Sequence, residues 1–151
     1  DAGVLVLAEI ERRLGLADRL ARCIEDPRAP ERVRHGLAEM IRFRALMIAA
    51  GHADANDCDA LRTDPAFKLA VGRLPESGAD LCSQPTMCRL ENLPTATALK
   101  RMMAAMVELD RLHRSSLRQL RAGAAADHPG HRRHLRSGTR LPAACVVPRP
   151  P

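Results

Sequence analysis

Glu31-Arg-Val-Arg-His-Gly-Leu-Ala-Glu-Met-Ile-Arg-Phe-Arg-Ala-Leu-Met-Ile-Ala-Ala-Gly51 is the stretch whose reading decides the fold. Val33, Leu37, Met40, Ile41, Leu46, Met47 and Ile48 recur at helical rather than alternating spacing. The pattern predicts a helix over 31–50, closed by Gly51 in the C-terminal capping position. The apolar density of 37–50 is too high for a helix with one exposed stripe. It puts this helix at the centre of a bundle, with Leu37, Met40, Ile41, Phe43 and Met47 buried.

Towards the N-terminus, Asp26-Pro-Arg-Ala-Pro30 is a turn, because two prolines this close cannot sit inside a helix. Before it, Leu5, Ala8, Ile10, Leu14, Leu16, Leu20 and Ile24 mark an amphipathic helix over 4–25. Gly15 offers a break, and Asp18 could cap a second piece. The opening Asp1-Ala-Gly-Val-Leu-Val-Leu has no basic stretch ahead of its apolar run, so it reads as a helix start and not as a signal peptide.

Towards the C-terminus, 53–62 and 65–74 read as two short helices, the second with Asp64 as N-cap and Pro65 at the first helical position. Residues 75–80 form a loop. Ser83 caps a helix through Glu91, with Pro85 early in it, and Thr95 or Thr97 starts a last long helix running through Leu109. With no strand pattern and no Trp or Tyr, the core must come from Leu, Met, Ile, Val and Ala. The expected class is all-α: a compact array of about five or six helices.

Charge divides the chain near residue 110. Residues 1–110 carry 15 Lys and Arg against 17 Asp and Glu, whereas 111–151 carry 9 Arg against the single acid Asp127. The overall charge of +6 therefore averages two unlike segments. The expected organisation is a helical body over 1–110 and a basic tail over 111–151 with neither Phe nor Met. From about Arg121 that tail buries too little to offset ordering entropy and is expected to be disordered. No apolar run reaches the roughly 18–20 residues of a membrane span, so no membrane partner is expected. Five cysteines, an odd number without a close pair, argue against a disulfide framework and favour a reducing cytoplasm.

Several motifs carry little chemistry. Cys82 and Cys88 are spaced too widely for a usual zinc pair. Asp54-Ala-Asn-Asp-Cys-Asp59 departs from a calcium loop, with Asp59 where glycine is needed and Pro65 where the bidentate Glu belongs. His35 and His52 are isolated. No metal or other cofactor is expected in this chain, and no catalytic residue is assigned.

Residues 65–93 offer two short helices in helix-turn-helix-like order. In the second, Met87 and Leu90 share one face, Arg89 and Asn92 project from roughly the other, and Ser83, Gln84 and Thr86 stand at the N-terminal end. A recognition helix wants short polar side chains and an Arg positioned in this way. Composition alone favours an ordinary capped surface helix.

The resemblance to a family changes that balance. Asp1-Ala-Gly-Val-Leu-Val-Leu-Ala-Glu9, Arg13-Leu-Gly-Leu16, Val33-Arg-His35, Met47-Ile-Ala-Ala-Gly51, Asp57–Arg62, Asp64-Pro-Ala-Phe-Lys68 and, most specifically, Leu81-Cys-Ser-Gln-Pro-Thr-Met-Cys-Arg-Leu-Glu-Asn92 resemble bacterial insertion-sequence transposases of the DDE domain group 1 family. The likeness runs in order over 1 to about 109. It implies the helical N-terminal region of such an enzyme, ahead of a ribonuclease H-like domain whose three acids hold two divalent metals. It also implies DNA, the transposon ends, as partner, with Ser83, Gln84, Thr86, Arg89 and Asn92 as candidate DNA-binding residues. The divalent metal is expected only for the catalytic domain. Self-association of the chain is left open.

In the family a stretch resembling Thr-Leu-Asp-Ile-Asp-Asp-Thr brings the first catalytic Asp shortly after this region. The codons behind Asp127–Leu135, read one nucleotide later, permit that stretch, and those behind Arg140–Pro150 permit a further family-like run. The expectation is a DDE transposase fragment whose tail is the catalytic domain's start read out of frame. Its basic cluster Arg132, Arg133 and Arg136 would then add only non-specific phosphate contacts. Two other readings remain: an active enzyme restored by a programmed ribosomal slip, and a helical protein-interaction module without DNA binding.

Overall fold

The computed structural model describes residues 3–126. Among them the architecture is all-α: α1 (Gly3–Leu14), α2 (Leu16–Ala21), α3 (Leu37–Ala49), α4 (Cys58–Leu61), α5 (Pro65–Val71), α6 (Gln84–Glu91) and α7 (Ala96–Ala126), with 3-10 turns at Pro30–Arg32 and Ala55–Asp57. The first expected helix is two. Gly15 sits between them at φ 61, a left-handed conformation that a side chain would strain. Asp18 does not cap the second piece. It lies in the first turn of α2 and pairs with Arg42 of α3 at 3.0 Å.

α3 is the centre of the body. Met40, Ile41, Phe43, Leu46 and Met47 are buried and Leu37 is partly buried against them, joined by Val4, Ala17, Phe67, Leu81, Met87 and Leu90. The Phe43 and Phe67 rings meet edge to face at 5.8 Å, tying α3 to α5. The expected helix over 31–50 is a shorter one. It begins only at Leu37, because Pro30 opens a 3-10 turn and Gly36 keeps an extended backbone at ψ 155. At its other end His52 N–H donates to the Met47 carbonyl at 2.8 Å around Gly51, as the capping position requires.

The same device ends α5 earlier than expected. Gly72, at φ 94, lets Arg73 N–H reach the Lys68 carbonyl at 2.8 Å, so the helix stops at Val71 and not at Leu74. Asp64 opens α5, its Oδ1 accepting from the N–H groups of Ala66 at 2.8 Å and Phe67 at 3.0 Å. Asp64→Ala is expected to cost about 1 kcal/mol, the worth of an N-cap, read as a lowered urea midpoint with an unchanged slope.

A buried ion pair locks α1, α2 and α3 together. Glu11, 5% exposed, accepts from Ala17 N–H at 3.0 Å through Oε1 and from Arg42 Nε at 2.6 Å through Oε2. The cysteines serve as small packing residues: Cys58 and Cys82 are buried, and Cys58 Sγ donates to the Cys82 carbonyl at 3.2 Å.

Thr95, not Thr97, opens α7, with its Oγ1 accepting from Ala98 N–H at 3.2 Å. The helix continues past the charge break to Ala126, since Arg, Leu, Gln and Ala sustain helix by local propensity. Packing does not follow it: every side chain from Arg111 to Arg121 is exposed. The described residues up to Ser116 form one compact unit, and those from Leu117 on belong to a second. Residues 121–126, expected to be disordered, are helical instead; the rest of that expectation falls on residues 127–151, which lie outside the described residues, as do Arg132, Arg133 and Arg136.

Candidate nucleic-acid interface

α6 is held in place from both ends by side chains of other elements. Ser83 occupies the N-cap position, its carbonyl accepting from Thr86 N–H at 3.0 Å and Met87 N–H at 2.9 Å, but its side chain makes no cap bond, Oγ lying 3.2 Å from Thr86 Oγ1. The first N–H of α6, that of Gln84, is taken instead by Asp59 of α4 at 3.0 Å. At the far end Arg44 of α3 bonds Glu91 at 2.7 Å and the Ala53 carbonyl at 3.0 Å. Met87 and Leu90 bury the inner face.

The connection from α5 to α6 spans residues 72–83, longer than the short turn of a helix-turn-helix. Its path is fixed by Arg73, which bonds the carbonyls of Ala79 and Asp80 and pairs with Glu39 at 2.5 Å. α6 packs on α3, α4 and the 3-10 turn at Ala55–Asp57. The segment 65–93 therefore has the two helices in the expected order, with a wide loop in place of a tight turn.

Beside α6 lies a cleft of about 510 Å³. Arg28, Arg32 and Arg34 come to it from the segment before α3, Arg62 from the end of α4, and Ser83, Thr86 and Arg89 from α6. Met40, Leu90 and Leu93 give it apolar surface, and no acid lines it. Two of the arginines are already engaged. Arg28 forks onto Asp26 at 2.7 Å through both Nε and Nη2, and Arg62 lies 3.6 Å from Asp80. The Arg28 hydrogen bonds hold the Asp26 carboxyl below the ordinary carboxylate range. The Nε of Arg62 is buried without a hydrogen-bond partner. Arg32, Arg34 and Arg89 are exposed and form no ion pair among the described residues. Three guanidinium groups without an ion pair among the described residues thus stand around a cleft that no acid lines, and its local charge is positive.

Of the five residues singled out from sequence, the structure brings Ser83, Thr86 and Arg89 into this cleft. Gln84 and Asn92 do not line it. Both turn back onto Cys88, Gln84 Nε2 at 3.3 Å from Sγ and Asn92 Nδ2 at 2.8 Å from the carbonyl oxygen. Sequence reading missed Arg28, Arg32, Arg34 and Arg62. The available signal was the close run Arg28, Arg32, Arg34 beside two prolines, which the expected turn at 26–30 and helix over 31–50 divided, setting Arg32 and Arg34 on different sides of that helix.

Among the described residues no cluster of three or more His, Cys, Asp or Glu could hold a metal ion, and no helix is long and apolar enough to cross a membrane. The model of one protein family, described as Transposase DDE domain group 1, matches residues 1–121. No curated protein and no solved structure matches the chain.

Proposed function

We propose, from the premise that this chain belongs to the Transposase DDE domain group 1 family, that its helical body grips the DNA of transposon ends through the arginine cleft beside α6. Membership places the protein in DNA transposition. The observation that carries the finer reading is the cleft itself: Arg32, Arg34 and Arg89 meet there without an acid to neutralise them, beside the hydroxyls of Ser83 and Thr86. Guanidinium groups bind phosphate in a forked geometry, as Arg32 and Arg34 would, or a base edge, as Arg89 on α6 would, and hydroxyls add directional hydrogen bonds. Gln84 and Asn92, already bonded to Cys88, are subsidiary in this reading.

The test is titration of the full chain with a fluorescein-labelled duplex taken from the end of the element that carries this gene, against a scrambled duplex. Arg89→Ala is expected to cost about 1–3 kcal/mol on the end sequence and little on the scrambled one. The Arg32→Ala/Arg34→Ala pair should weaken both alike and reduce the salt slope by about two, one per phosphate contact. Equal affinities of all variants for both duplexes would remove the cleft from DNA binding. No binding to any DNA would leave the helical interaction module.

The tail completes the proposal. Residues 127–150 are the opening of the catalytic domain translated one nucleotide out of frame, so this chain carries no catalytic acid and does not cleave strands by itself. The nucleotide sequence behind residues 105–151 and beyond decides it. A downstream continuation in the other frame, with the remaining acids, supports the reading; codons that cannot spell the family stretch overturn it.

A further inference from the structure

We infer that the arginine cleft holds one unpaired nucleotide of the bound DNA, its base against the apolar floor and its phosphates on the arginine rim; this rests on the DNA-binding reading above. The shape of the site is the first ground. A groove-reading helix stands out from its domain, but α6 forms a wall of a concavity of about 510 Å³ and buries Met87 and Leu90. That volume lies within the range of sites that enclose small ligands.

The chemistry of the floor is the second ground. Met40, Leu90 and Leu93 offer nothing to a phosphodiester backbone. They suit the face of a base, and the thioether of Met40 adds a favourable sulfur contact with an aromatic ring. The third ground is the rim. Arg32 and Arg34 can bond the phosphates on either side, and the guanidinium plane of Arg89 can stack on the base where no aromatic side chain is present. Floor and rim together match an unstacked nucleotide, with its apolar face and charged edges, better than a paired one, whose base faces are covered by its neighbours.

The experiment compares three DNAs of one transposon-end sequence: a blunt duplex, the same duplex with a single bulged 2-aminopurine, and one with a 2-aminopurine as an unpaired terminal nucleotide. The full chain is expected to bind at least one of the two unpaired forms about tenfold tighter than the blunt duplex, the worth of one stacked base. The 2-aminopurine emission should change on binding as the base leaves water. Leu93→Ser should lose that preference and the emission change, and Leu93→Met should restore both. Circular dichroism melting confirms that each variant is folded. Equal affinity for all three DNAs with unchanged emission overturns this inference and leaves the duplex-binding reading standing. No binding to any of the three overturns both readings. Displacement of the DNA by a free nucleoside triphosphate at comparable concentration assigns the cleft to a soluble nucleotide and overturns the inference.

Discussion

Glu11→Ala is expected to destabilise the body by about 3 kcal/mol, through loss of the charged bond to part-buried Arg42 and of the bond to Ala17 N–H. Glu11 is 5% exposed, and its two oxygens serve different elements: one caps Ala17 at the start of α2, the other neutralises Arg42 of α3. Without it, Arg42 keeps only Asp18, whose side chain is 53% exposed and holds it weakly. Urea denaturation followed by circular dichroism measures the loss. The Glu11→Met/Arg42→Met double variant separates the penalty from the worth of the pair. Removing both charges together is expected to restore most of the stability, since a well-packed apolar pair replaces a buried ion pair at little cost. A double variant as unstable as Glu11→Ala would show that the capping of α2, and not the unpaired charge, carries the effect.

Phe43→Ala should cost a similar amount, about 3–5 kcal/mol, through the cavity it leaves. Phe43 is 1% exposed and its ring lies edge to face with Phe67, against which His52 also packs at 6.2 Å. These are the chain's two Phe, and it has no Trp or Tyr to replace either. Phe43→Leu keeps most of the volume and is expected to cost about 1 kcal/mol. Melting temperatures in that order check the claim; a Phe43→Leu variant as unstable as Phe43→Ala would assign the effect to the ring contact and not to volume.

What the sequence made legible follows from how local each signal is. The burial of Met40, Ile41, Phe43 and Met47 was readable because apolar density within one helix determines it. Asp64 and Thr95 were readable as caps because each bonds the turn that follows it. The start of α3 was not, since Glu31-Arg-Val-Arg34 has ordinary helix formers and only the prolines and Gly36 together stop it. Ser83 had the residue type of a cap, yet the side-chain bond to α6 comes from Asp59, a neighbour in space and not in sequence. The candidate site shows the same limit. Thr86 and Arg89 were legible because they share a short helix, whereas Arg28, Arg32, Arg34 and Arg62 reach them only through the folding of α3 and α4. Charge counts pointed to the tail, although over 1–110, where acids outnumber bases, the fold gathers an acid-free cleft.

α7 crosses the charge break without interruption, and from Arg111 to Arg121 it commits no side chain to the interior. The consequence is genetic. A point where the chain stops contributing to burial is a point where the message can change frame, splice or fuse without a cost to the part already folded. Ribosomes leaving this helix by either frame would release the same N-terminal body, whatever sequence follows it.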